Sequence, residues 1–85
     1  MPSTTVAVGS SIGLHARPAA LIAEAVTTGN LSVTLAVAGG DPVDAGSALM
    51  IMTLGATQGV EVTVTGDDQA AVDTVAQLVA TDLDA

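Results

Sequence analysis

The segment Gly13-Leu14-His15-Ala16-Arg17-Pro18 holds the chain's only histidine and its only basic side chain, followed by a proline suited to a first helical turn. A neutral imidazole is a nucleophile near pH 7 and can attack phosphorus. A helix N-terminus offers unpaired backbone N–H groups and a partial positive charge, so an anion on a side chain just ahead of it is stabilised without an enclosing pocket. The backbone of Ala16 and Arg17 is placed to do this. The Arg17 guanidinium adds a planar donor fork that matches phosphate oxygens. Gly13 lets the backbone turn and leaves the approach to the ring open. Taken singly, a loop histidine, a lone arginine and a first-turn proline are ordinary surface features. Their joint placement points to a histidine that accepts a phosphoryl group and hands it on.

The elements that must position this site follow from the patterning. Thr4 to Val8 reads as a strand closed by Gly9, and Gly9 to Gly13 as a loop. A helix is expected from Pro18 to Thr28, with Leu21, Ile22, Ala25 and Val26 on its apolar face and Gly29 ending it. Leu31 to Val37 alternates as a half-buried strand, and Ala38 to Asp41 is a turn. Pro42-Val43-Asp44 can form only a short edge strand. A two-turn helix is expected from Ser47 to Leu54, with Ser47 as N-cap and Gly55 as terminator. Val60 to Thr65 alternates cleanly as a strand. After Gly66-Asp67-Asp68, the stripe Val72, Val75, Val79 and Leu83 marks a last amphipathic helix. The order is βαββαβα. It implies an α+β open-faced β-sandwich: a four-stranded antiparallel sheet with three helices on one face.

Composition narrows the function. The 85 residues form one small domain, 1–85, with no room for a separate substrate domain. Nine acidic residues against one basic give a net charge of −8, and no aromatic residue is present to stack on a base, so nucleic acid is not an expected partner. Cysteine is absent, which removes disulfides, a thiol nucleophile and cysteine-ligated zinc. Asp41, Asp44, Asp67 and Asp68 have no ligand spacing around the single histidine, so neither a metal nor another cofactor is expected. No stretch approaches the ~18 apolar residues of a membrane span. Membrane insertion is therefore not expected, and a soluble cytoplasmic protein, monomeric on its own, is the simplest reading.

At this point the chain resembles the HPr family of phosphocarriers of the bacterial phosphoenolpyruvate-dependent sugar phosphotransferase system. Residues 13 to 18 match the family's active-site motif without a gap, and Gly46-Ser47-Ala48-Leu49-Met50-Ile51-Met52-Thr53-Leu54-Gly55 resembles its second signature. The resemblance covers essentially the whole chain. It implies that enzyme I passes a phosphoryl group to Nδ1 of His15, giving a pros-phosphohistidine. This chain would then pass the group to sugar-specific IIA components for sugar uptake. On that reading the protein is a general carrier, not specific to one sugar, and not an enzyme in its own right.

The resemblance also implies a partner patch, with Leu14, Ala20, Ala48, Leu49 and Met52 as its candidates. For Leu49, Met50 and Met52 the competing role is ordinary core, expected for at least two of the three. Ser47 matches a position that a regulatory kinase phosphorylates in some members, and binding of a transcription factor is a further implied role. The N-cap alone explains Ser47 as well, and Gly46 stands where members often have a basic residue. The acidic balance is the main departure. Members often carry lysines near the site, whereas Glu24 here returns to nearly the same helix face as Arg17, which predicts docking that leans on apolar contact more than on salt-sensitive attraction. The alternative function is a small-molecule-binding or partner-binding regulatory module on a similar small α+β fold. That reading leaves the His15 to Pro18 cluster without a task.

Overall fold

The computed structural model describes residues 2–11 and 13–81. Its elements are β1 (Ser3–Ala7), α1 (Ala16–Thr28), β2 (Val33–Val37), β3 (Val43–Asp44), α2 (Ala48–Thr53), β4 (Glu61–Gly66) and α3 (Gln69–Ala80), which is the expected βαββαβα order. The strands form one antiparallel sheet in the order β1-β4-β2-β3. This leaves β3, the strand entered from Pro42, at an edge where a missing N–H costs no ladder bond.

Alternation along the strands gives the sheet one apolar face. Val62 and Val64 of β4 and Leu35 of β2 are fully buried, and α3 covers them with Val72, Val75 and Val79 at the spacing of one helical stripe. Leu83, expected to extend that stripe, lies outside the described residues. Ala19, Ile22, Ala23 and Val26 of α1 and Ile51 of α2 add to the core. The opposite sheet face carries Thr5, Thr34, Thr63 and Thr65. Across it, the hydroxyls of Thr5 and Thr63 lie 3.0 Å apart.

Several boundaries differ from the sequence reading for local reasons. Helix α1 starts at Ala16, two residues before Pro18, because proline is tolerated anywhere in a first turn and occupies the third helical position. Its apolar face is centred on Ala19, Ile22, Ala23 and Val26, which leaves Leu21 at the edge and 39% exposed. Gly29 caps the helix in a right-handed conformation, and it is Asn30 that takes the positive φ of 53° beyond it. Asparagine is among the few residues that do so readily. In α2 the expected terminator does hold, since Gly55 has φ of 63°.

The largest correction concerns which apolar residues are core. Leu14 was expected in an exposed patch but is buried, 3% exposed, because its amide is tied to the carbonyl of Ala56 at 2.9 Å and the side chain is turned under the loop. The reverse holds in α2. Two of Leu49, Met50 and Met52 were expected to be core, yet Leu49 is 69% and Met50 41% exposed, with Met52 half-buried. Ile51 takes the fully buried position of this short helix, and Ala48 and Met52 pack partly against the core beside it, which turns Leu49 and Met50 outward.

Candidate functional site

His15 is the N-cap of α1, in an extended conformation with φ −86° and ψ −166°, and its side chain makes no capping hydrogen bond. An N-cap side chain is the one that ordinarily reaches the first-turn amides. Here those donors remain open. The amides of Ala16 and Arg17 donate to no partner among the described residues, Pro18 has none to donate, and the first helical bond runs from the amide of Ala19 to the carbonyl of His15 at 2.9 Å. The result is an exposed imidazole beside two free N–H groups at the positive end of a helix.

Arg17 is the second residue of the same turn. It is exposed and makes no ion pair or hydrogen bond among the described residues, so its guanidinium is available to an anion on the ring. Pro18 is fully buried next to it. The first turn is thus fixed to the core by Pro18 and Ala19, while its outer side holds His15 and Arg17.

The approach to this turn is held by Gly13. Its φ of +80° is one that side-chain-bearing residues rarely adopt, and a Cβ there would stand 2.5 Å from the carbonyl oxygen of Ala56 and 2.9 Å from Cα of Thr57. The amide of Gly13 donates to the carbonyl of Ser10 at 3.0 Å. Upstream, Gly9 is pressed just as closely on the carbonyl of Ala80 at the end of α3, to which loop its neighbour Val8 leads. The loop before His15 is therefore clamped between the end of α3 and the segment after α2.

Helix α2 runs back along α1. At its start, a Cβ on Gly46 would lie 3.4 Å from Cγ1 of Val26 and 3.5 Å from Cγ2 of Thr27, and beyond its end Ala56 meets Gly13 and Leu14. Ser47 caps it, its hydroxyl accepting the Met50 amide at 3.3 Å. Ala20 and Leu21 on α1 and Leu49 and Met50 on α2 are exposed, while Ala48 and Met52 are half-buried. Together they give two packed helices an apolar outer surface beside His15.

The alternative of a small-molecule site finds its best place elsewhere. An open depression of about 400 Å³ is lined by Leu31, Ser32, Val33, Thr34, Asp44 and Thr65, and none of these belongs to the His15 cluster. Among the described residues no three of His, Cys, Asp and Glu come together as a metal-binding group. Among them, too, no helix is long and apolar enough to cross a membrane.

Comparison with known proteins gives one answer from three directions. A family model described as the PTS HPr component phosphorylation site matches residues 2–81. A phosphocarrier protein HPr of Streptomyces coelicolor is 41% identical over 87 residues, covering 99% of this chain and 94% of that protein. The crystal structure of a phosphocarrier protein HPr from Bacillus anthracis superposes with a TM-score of 0.80 at 30% identity, covering 92% of this chain and 95% of that one. An HPr from Thermoanaerobacter tengcongensis gives 0.81 at 28% identity, covering 93% and 91%.

Proposed function

Because the chain belongs to the HPr family, the phosphocarriers of the phosphotransferase system, we propose that His15 is its phosphoryl acceptor and Arg17 the side chain that steadies the acquired charge. The observation that carries this is the N-cap geometry: a histidine free of any capping bond, next to the unpaired amides of Ala16 and Arg17. In the transfer, the lone pair of a neutral ring nitrogen attacks phosphorus while the donor's own bond to phosphorus breaks. Nδ1, the nitrogen nearer the backbone, is the one whose phosphoryl oxygens would meet the first-turn amides. The phosphoryl charge is held by N–H donors already fixed in place and by a guanidinium fork, at no cost of reorganising a pocket.

The donor is enzyme I and the acceptors are IIA components, met in turn in the cytoplasm. The exposure of the site supports this, because two different proteins must reach the same nitrogen. The chain completes no reaction on a small substrate unaided, so it is a carrier within a relay. Incubation with enzyme I and phosphoenolpyruvate tests the assignment. The protein gains one phosphate by intact mass, acid-labile and base-stable, and a His15→Ala variant gains none. Uptake that persists in the variant would place the acceptor elsewhere.

A further inference from the structure

Helices α1 and α2, which flank His15, hold two charged side chains between them, Arg17 and Glu24. The other described carboxylates lie on the edge strand and its turn, on β4, and around the start of α3. Three of those have local partners: Asp44 accepts the Gly46 amide at 2.8 Å, Asp68 the Ala70 amide at 3.4 Å, and Asp73 the Gln69 side-chain amide at 2.8 Å. The Glu24 carboxylate is exposed and takes no hydrogen bond or ion pair among the described residues.

Its position matters more than its freedom. Glu24 lies seven positions beyond Arg17, which returns it to nearly the same helix face about 10 Å further along the axis. Because α2 runs back along α1 from Val26 and Thr27, its first turn, with Leu49 and Met50, stands level with the later half of α1, where Glu24 lies. On α1 itself Glu24 follows exposed Ala20 and Leu21 at helical spacings of four and three, so one anion borders the apolar surface and one cation sits beside His15.

We propose that Glu24 is a specificity-determining residue for the phosphoryl donor, pairing with an arginine or lysine at the rim of the donor's apolar docking surface. This rests on the carrier function above. A carboxylate carried into an apolar contact must find a matching charge or be left poorly solvated, which selects against neutral and acidic rims. The net charge of −8 works in the same direction, since it draws only a positive partner surface. The donor meets the chain before His15 is loaded, so Arg17 and Glu24 are the two charges on these helices that it reads.

The test is steady-state transfer from the enzyme I encoded in the same genome, comparing the native chain with Glu24→Gln and Glu24→Lys. Thermal melts confirm that the exposed substitutions leave the fold intact. At low salt Glu24→Lys raises KM for this carrier about tenfold and Glu24→Gln about threefold, with kcat and the final stoichiometry of one phosphate unchanged. Near 0.5 M NaCl, where the Debye length falls to about 4 Å, the three proteins converge. An unchanged or lower KM for Glu24→Lys at low salt would overturn the role of Glu24 alone. If the native chain took up no phosphate, the carrier function and this inference would fall together.

Discussion

The carbonyl oxygen of Ala56 accepts the amide of Leu14 at 2.9 Å, and it lies where a Cβ on Gly13 would come within 2.5 Å. One backbone atom thus sets two neighbouring residues. It forces position 13 to be glycine and draws Leu14 under the loop, and the turn this makes delivers His15 outward at the cap of α1. Gly13→Ala must move this backbone contact as well as adopt an unfavourable φ, so a loss of about 2–4 kcal/mol in urea unfolding is expected. Phosphoryl transfer should fall with it, since the displaced turn is the one that presents the ring.

Arg17 offers a cleaner separation of function from stability. It is exposed and unpaired among the described residues, so Arg17→Ala should leave the unfolding midpoint nearly unchanged. With Arg17 in its proposed role, charge-assisted hydrogen bonds of about 1.5–3 kcal/mol would be lost from the loaded state, which predicts transfer slower by about 10- to 100-fold in stopped-flow or quench measurements. Arg17→Lys should recover only part of this, because a lysine lacks the two-pronged fork.

Two neighbours in α2 should respond in opposite ways. Leu49 is 69% exposed and Ile51 fully buried. Leu49→Ala should change stability by less than about 0.5 kcal/mol while raising KM for enzyme I several-fold. Ile51→Ala should cost about 2–4 kcal/mol through the cavity it opens, with KM unaffected at temperatures where the protein remains folded.

Ser47 accepts the Met50 amide as the cap of the same helix. Ser47→Ala should cost about 1 kcal/mol, read from thermal melts, and leave transfer at His15 within about twofold of the native rate. A collapse of transfer with the fold intact would show that the hydroxyl does more than cap.

Much of this was legible in the chain because the signals are local. Alternating valines in β4, the spacing of Val72, Val75 and Val79, and the pairing of Ser47 with Gly55 each specify an element from within. The grouping of His15, Arg17 and a helix start was visible for the same reason. What escaped depends on contacts between distant segments. Leu14 belongs to the core only because residue 56 passes beside it, and nothing in residues 13 to 18 announces that neighbour. In α2, six residues are too few for periodicity to show that Ile51 is fully buried and Met52 partly so, while Leu49 and Met50 face outward. Pro18 drew the start of α1 two residues too late, since a proline in the third helical position leaves the same sequence signature as one in the first. That shift matters to function, because the earlier start is what makes His15 the cap.

The most direct measurement follows one phosphoryl group through a full cycle. The protein is loaded with enzyme I and phosphoenolpyruvate, separated from both, and mixed with a IIA component of the same organism while the three-bond coupling of phosphorus to the Cε1 ring proton of His15 is watched by NMR. The account predicts that the signal appears on Nδ1 of His15 during loading and disappears as the IIA component gains phosphate in equal amount. Phosphate found on any other residue, or a phosphate on His15 that the IIA component cannot remove, would contradict it.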